Sequence, residues 1–355
     1  MYNETLAYRK EAWEARHERI RFEDTNNLLP GWKESRPRLK QVHSQVLQEA
    51  QKRVQRSYEG FFGRIKAGQT PGHPRFHAAK RHDSFTYTQS GFAFVPLPRT
   101  GSHRRSWGID LSKIGVVKVA RHREPVGKVK TLTVKRSRTG KWWVTIVAEI
   151  TPLMLPTTGR RTGGDLGLID FFTLSDGTHY PAPKFYRKGE AAIAKTQRKL
   201  EGLPPAHPHR KTLLHTLARH YEVIGFRRDN YTHQLSRELV NSYDFIAHED
   251  LDIKRMITDG WLAKSIHDAA WGEFLHHLTY KAEWAGRQVV TVNPRYTSQR
   301  CSGCGRLVPK PLSQRLHSCP HPDCGLVLDR DHNAAINILN LALYQCGSTH
   351  CGTSP

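Results

Sequence analysis

The chain has 355 residues, with 55 Lys and Arg against 32 Asp and Glu, a formal net charge of +23 before any of its 21 histidines is protonated. So large an excess repels itself in a compact fold unless a polyanion neutralises it, and solubility alone is served as well by acids, so the balance points to nucleic acid. At 37% hydrophobic residues the chain can bury cores in two or three domains, which excludes wholesale disorder. No apolar run approaches the roughly 18 residues of a membrane span, and Met1-Tyr2-Asn3-Glu4 lacks the basic-then-apolar order of a signal peptide, so a soluble intracellular protein is expected.

The first thirty residues read as helical, with a polar, charged break around Asp24 to Glu34. From Ser44 to Lys66, Leu47, Ala50, Val54, Tyr58, Phe61 and Ile65 recur at three- and four-residue steps, the pattern of an amphipathic helix. Its polar face holds Gln45, Gln48, Lys52, Arg53, Arg56 and Arg64, and Gly68 and Pro71 stop it. After a basic link, Arg75 to His82, short alternating segments predict strands at 84–88, 92–97, 114–120, 129–135 and 142–150. Glycines punctuate them, so a small β-barrel or open sheet is expected over roughly 84–150, followed by a linker of Pro152, Pro156 and Thr158-Gly159-Arg160-Arg161-Thr162-Gly163-Gly164.

Beyond the linker, 165–174 and 179–183 flank Ser175-Asp176-Gly177 as a predicted β-hairpin. Helices are expected at 186–202 and 209–241, a buried strand at 244–248, a helix around Ile266 to Trp284 and a strand at 288–292, an alternating α/β series.

Six cysteines are too few to staple a chain of this length, and four of them cluster. Cys301-x2-Cys304 and Cys319-x4-Cys324 form two short knuckles that can place four thiolates around one Zn2+, folding a segment too small for its own core. His321, inside the wider second pair, is an alternative ligand. Cys346, His350 and Cys351 read as a frayed tail rather than a second metal site.

Three acids stand at predicted element edges: Asp165 at the start of the hairpin's first strand, Glu249 just after the buried strand, and Asp331 opening a helix from Asn333 to Leu343. Edges of an α/β sheet converge. Three carboxylates together repel unless divalent cations neutralise them, and two Mg2+ ions about 3.5–4 Å apart can activate water and stabilise the leaving oxygen of a phosphodiester. Each acid also has a structural reading: Asp331 as a helix cap, Asp165 as a turn residue, Glu249 as a solvated strand end. Asp170, Asp250, Asp252 and Asp329 are neighbours that spacing does not exclude. Asp331-His332-Asn333 beside the cysteines superficially suggests a one-metal HNH nuclease, but the segment runs straight into a helical pattern with no later His/Asn partner. A phosphate-binding Gly-x4-Gly-Lys-Ser/Thr loop is absent.

Several motifs in register resemble the TnpB family, insertion-sequence-encoded, RNA-guided nucleases from which type V CRISPR effectors are thought to descend. They are Gly164-Asp165-Leu166-Gly167, Arg227-Arg228-Asp229 through Leu235-Ser236, His248-Glu249-Asp250-Leu251, Tyr280-Lys281-Ala282-Glu283-Trp284, Tyr296-Thr297-Ser298-Gln299-x-Cys301-Ser302-x-Cys304-Gly305 and Asp329-Arg330-Asp331-His332-Asn333. The resemblance covers roughly 40–345. It implies a multidomain α+β protein: a helical recognition lobe (1–83), a small β-barrel wedge domain (84–158), and a RuvC-like (RNase H-type) α/β nuclease domain (159–295 and 329–355) carrying a helical hairpin and an inserted zinc ribbon (296–328). Family members begin with a further β-strand ahead of the helix near Tyr2, so the wedge is expected to lack it. Asp165, Glu249 and Asp331 then match the family's catalytic carboxylates, with two Mg2+ ions held by all three and one structural Zn2+ by Cys301, Cys304, Cys319 and Cys324. The implied activity is guide-RNA-directed cleavage of double-stranded DNA beside a short flanking motif, by a monomer in the prokaryotic cytoplasm at the nucleoid. Gln45, Gln48, Lys52, Arg53 and Arg56 are candidate nucleic-acid contacts, since Gln pairs with adenine and Lys with guanine in the major groove. A basic channel for an A-form backbone suits a protein that delegates sequence reading to a guide. The competing functions are a non-cleaving, guide-dependent DNA-binding repressor and a guide-independent nuclease acting with a transposase.

Overall fold

The structure is a computed structural model describing all residues except 79–80, 99–105, 121–123, 259, 261, 312 and 349–355. It divides into two compact units, Met1–Thr151 and Pro152–Pro355.

The first unit opens with helices α1 (Tyr2–Arg16), α2 (Phe22–Asn27) and α3 (Leu29–Ser35), a 3-10 turn (Pro37–Gln41) and α4 (Ser44–Lys66). The stretch expected as a polar break is therefore largely helical. Asp24 makes this local: its carboxylate accepts from the Arg21 N–H at 2.7 Å and so caps α2. Tyr2 and Leu6 of α1 bury against Val54 of α4, on the apolar stripe that the spacing of α4 predicts.

Strands β1 (Ser84–Tyr87), β2 (Phe92–Leu97), β3 (Ser106–Leu111), β4 (Gly115–Val119), β5 (Lys128–Arg136) and β6 (Trp142–Glu149) complete this unit. They do not close into the expected β-barrel. Among the described residues they form two separate antiparallel sheets, ordered β1-β5-β6 and β2-β3-β4. Tyr87, Leu132 and Val134 of one sheet pack against Ile109 and Leu111 of the other, so each sheet buries its apolar face on its neighbour and closure is not needed. Strand β3 adds to the strands the alternation predicts, because Gly108 reads as punctuation in the sequence. A Cβ at that position would run into Val116 across the ladder.

The second unit is built on strands β7 (Arg161–Leu166), β8 (Asp170–Leu174) and β9 (His179–Pro181), helices α5 (Phe185–Glu201) and α6 (His209–Ser242), strand β10 (Phe245–Glu249), helices α7 (Ile253–Thr258), α8 (Ala263–Ala269) and α9 (Trp271–Ala285), and strand β11 (Gln288–Val292). A small ribbon, β12 (Leu316–Ser318) and β13 (Val327–Asp329), precedes α10 (Arg330–Ser348). One five-stranded sheet runs β11-β10-β7-β8-β9. Strands β11, β10 and β7 are parallel, whereas β7, β8 and β9 form an antiparallel meander.

Three expectations change here. Residues 161–164, read as linker, lie in the central strand β7, because glycine there is a packing requirement rather than a sign of freedom. A Cβ at Gly163 would collide with the Ala335 carbonyl oxygen and Leu339 amide of α10, and one at Gly164 with the Phe172 ring. The hairpin is instead a three-stranded meander. The helix expected around 266–284 breaks at Ala270, whose φ of 56° is left-handed, into α8 and α9.

Helices α6, α8 and α9 cover one face of the sheet through Leu235, Leu239, Ile266, Phe274 and Leu278, which pack on Phe171, Phe172, Leu174 and Ile246. On the other face, Ile338 and Ala342 of α10 pack on Phe245, Ala247 and Val292. Strand side chains alternate faces, so Glu249 shares the α10 face with Phe245 and Ala247, and Asp165 shares it with Gly163. Among the described residues no helix is long and apolar enough to cross a membrane.

Candidate active site

Asp165 is the penultimate residue of β7 rather than the first of a strand, and Glu249 is the last residue of β10 rather than the residue after it. The two strands are parallel neighbours, so both acids reach the same end of the sheet. Asp331 lies in the first turn of α10, which begins three residues earlier than expected.

The electrostatics register this meeting. Burial, then the negative charges of Glu249 and Asp331, hold the Asp165 carboxyl well above the ordinary carboxylate range, with Arg330 opposing. Glu249 is also raised by burial, against the pull of a hydrogen bond from Thr297. Burial raises Asp331, while Arg315, 3.4 Å away, draws it back. A half-buried cluster of acids that resist ionisation together is the condition that a divalent cation relieves, and oxygen-only ligands suit Mg2+. The three do not belong to any group whose ligand atoms all lie within 4.8 Å of one another; among the described residues two other groups do, Cys301/Cys304/Cys319/Cys324 and Asp229/His233/His277.

Three of the four neighbouring acids have structural employment. Asp329 accepts from the N–H groups of Asp331 and His332 at 2.8 and 3.1 Å and so caps α10, the role the sequence had left open to Asp331. Asp252 accepts from the Arg255 N–H at 3.0 Å, capping α7. Asp170 pairs with His179 at 3.0 Å, and Asp250 is exposed. The HNH alternative loses its asparagine: the Asn333 side chain is buried, donates to the Arg300 carbonyl at 2.8 Å and accepts from the Ser302 N–H at 2.9 Å.

Thr297 is the residue the sequence reading passed over. Its hydroxyl is buried and donates to Glu249 Oε1. Asn337 of α10 in turn donates to the Thr297 and Arg300 carbonyls at 2.9 and 2.6 Å. The chain entering the cysteine knuckle is thus laced both to Glu249 and to the helix carrying Asp331. The available signal was Thr297's place in Tyr296-Thr297-Ser298-Gln299, directly before Cys301.

The four cysteines meet as their spacing predicts. Cys301 and Cys324 sulfurs are 3.7 Å apart, as are those of Cys304 and Cys319. Zinc–sulfur bonds of about 2.3 Å at tetrahedral angles put sulfurs about 3.8 Å apart, so the donor set fits a zinc ion. Burial works against the Cys301 thiolate, yet the N–H groups of Cys304 and Gly303 and the His317 side chain draw that thiol down to about 6. His321 is not among the ligands; its carbonyl accepts from Cys324 and Gly325 N–H groups and closes the second knuckle. Cys346 is half-buried on α10, while His350 and Cys351 lie outside the described residues.

In the first unit, the candidate nucleic-acid contacts separate. Gln45 Oε1 accepts from the N–H groups of Thr88, Gln89 and Ser90 at 3.0 to 3.2 Å, and its Nε2 donates to Ser90 Oγ, so its amide builds a turn. Arg53 donates to the Ser84 carbonyl at 3.1 Å, and Arg56 pairs with Glu49 at 2.7 Å. Gln48 and Lys52 line, with both arginines, Thr86, Thr131 and Thr133, a cavity of about 490 Å³.

The chain is similar to known families and proteins. The family described as "Cas12f1-like, TNB domain" matches residues 271–338, and that described as "Probable transposase" (OrfB_IS605) matches residues 145–259. The chain is 32% identical to "Putative RNA-guided DNA endonuclease" of Streptomyces pristinaespiralis over 98% of its own length and 84% of that protein. It is 30% identical to "Putative RNA-guided DNA endonuclease InsQ" of Escherichia coli K12 over 98% of its length and 87% of that protein. A shorter match, 34% identical over 33% of this chain and 28% of the relative, is to "CRISPR-associated endodeoxyribonuclease Cas12f1" of Sulfoacidibacillus thermotolerans. With such identity along nearly its whole length, the chain belongs to the TnpB family of insertion-sequence proteins related to CRISPR effectors.

Proposed function

We propose that this protein is a guide-RNA-dependent, Mg2+-dependent endonuclease of double-stranded DNA, working at a RuvC-like (RNase H-type) site of Asp165, Glu249 and Asp331. The observation that carries the reading is geometric: the parallel pairing of β7 with β10 brings Asp165 and Glu249 to one sheet end, where burial, then the charges of Glu249 and Asp331, raise the Asp165 carboxyl. Relatives named as RNA-guided DNA endonucleases over nearly the full chain support it.

Divalent cations held by the three carboxylates would supply Lewis acidity and an activated water for phosphodiester hydrolysis. The chain's own part is to aim the acids and to oppose part of the rise that burial imposes on them. Thr297 orients Glu249 by donating to Oε1. Arg315 pairs with Asp331 at 3.4 Å and stands in for positive charge beside it. The ribbon's four cysteines would hold one structural zinc, which keeps the Thr297 segment in place. In the first unit, residues 1–83 serve as the recognition lobe and the two-sheet region as the wedge, and Gln48, Lys52, Arg53 and Arg56 of α4 line a cavity with donors for a nucleic-acid backbone.

The test is to purify the protein with its co-purifying RNA and incubate it with Mg2+ and plasmids carrying a target beside randomised flanking sequence. Wild type should yield cut ends downstream of one flanking motif, and Asp165→Ala should bind the same targets without cutting. Protection without cutting by wild type would make it the non-cleaving DNA-binding protein, and cutting without RNA the guide-independent nuclease.

A further inference from the structure

Helices α6 and α9 pack side by side away from the acidic cluster. Asp229 and His233 stand one turn apart on α6, and His277 faces them from α9. Their ligand atoms all lie within 4.8 Å of one another. Asp229 Oδ1 is 3.5 Å from His233 Nε2, and the His233 and His277 rings stack with centroids 3.8 Å apart.

The surroundings prepare His277 as a ligand. Thr232 Oγ1 donates to the Asp229 carbonyl at 3.1 Å and lies 3.2 Å from His277 Nδ1. With its single proton committed to the carbonyl, the hydroxyl accepts from Nδ1–H. This assigns the ring proton to Nδ1 and leaves Nε2 a bare lone pair. Ligating histidines are commonly oriented in this way through the other ring nitrogen. The nearest cation on α9, Lys281, spends its ammonium on the His233 carbonyl at 2.7 Å and Ser236 Oγ at 2.8 Å. Glu273, one turn before His277, lies within electrostatic reach of Asp229 and adds negative potential.

We propose that Asp229, His233 and His277 form a second metal site, for a borderline divalent ion of the Zn2+ class, which staples α6 to α9. Two imidazoles and one carboxylate select such an ion over Mg2+ or Ca2+, and leave a fourth position for water. The near-parallel rings mean that the half-buried His233 turns to bring its nitrogen into convergence, while the buried His277 is the fixed partner.

The test uses the full chain, stripped of metal by chelation and titrated with Zn2+ and, separately, Co2+, with bound metal counted by mass spectrometry. With excess Mg2+ present to occupy the carboxylate site, wild type should bind two equivalents. With Co2+, the cysteine site gives thiolate charge-transfer absorption, and the second equivalent adds only ligand-field bands. His277→Gln and the exposed Asp229→Asn should each lose the second equivalent and keep the first. The second equivalent should raise the melting temperature of wild type but not of Asp229→Asn, whose exposed position keeps folding intact. A single equivalent in wild type, or a second that survives both substitutions, overturns the proposal.

Discussion

Thr297→Val removes one hydroxyl and keeps the side chain's shape. That hydroxyl has two acceptors in reach, Glu249 Oε1 and, at 3.1 Å, the Pro294 carbonyl. The charged acceptor is the stronger one. A hydrogen bond to a charged group contributes about 1.5–3 kcal/mol, and its loss leaves a buried carboxylate without its donor. At about 1.4 kcal/mol per tenfold, single-turnover cleavage should fall roughly 10- to 100-fold, while guide-directed DNA binding holds. The pH dependence has a defined sign. Burial already raises the Glu249 carboxyl and Thr297 opposes that rise, so the valine variant takes up its proton at higher pH. The acid limb of the cleavage profile therefore moves to higher pH, and more Mg2+ is needed for half-maximal cutting. Thr297→Ser should restore the rate, the profile and the Mg2+ requirement. The assay is plasmid cleavage by preassembled ribonucleoprotein across pH and Mg2+, with binding measured in parallel. A valine variant that cuts at the wild-type rate on an unmoved profile would refute the positioning role.

Asp165→Asn should stabilise the protein in the absence of divalent ions. The native carboxyl is raised by burial and by Glu249 and Asp331, so the folded state binds the proton more tightly than the unfolded one. Stability then falls as pH rises from the unfolded value near about 3.9 through the native value, and the penalty is complete above it. Melts in EDTA should show a steeper fall in wild type than in the variant, which keeps the raised Glu249 and Asp331, with about 2–4 °C for each kcal/mol relieved; coincident curves would count against the raised Asp165. Stripping zinc should abolish cutting before it abolishes guide-directed binding, because the Cys301–Cys304 knuckle is tied through Asn333 and Asn337 to Thr297 and α10. Metal-free protein that cuts normally would break that link. Gly163→Ala should cost about 1–3 kcal/mol by overpacking, since the new methyl meets the α10 backbone; an unchanged denaturation midpoint would show that the helix does not rest on β7.

Local signals were legible in the sequence and long-range ones were not. The cysteine knuckles were readable because each carries two ligands a few residues apart, and helix α4 because its apolar residues repeat at helical spacing. The acids Asp165, Glu249 and Asp331 could be nominated from their places at element edges. Only the parallel pairing of β7 with β10 and the seating of α10 over Gly163 bring them to one end of the sheet. Tertiary structure also separates Asp331 from Asp329, because which of the two caps α10 depends on where the helix begins. Glycine carried the main misreading. In Gly163-Gly164 it marks two faces so closely packed that no side chain fits, and in Gly108 a close approach between strands, whereas sequence alone reads the same residue as a break. The barrel failed to close for a related reason: alternation tells a strand which face to bury, but not whether the apolar face it meets belongs to its own sheet or to another.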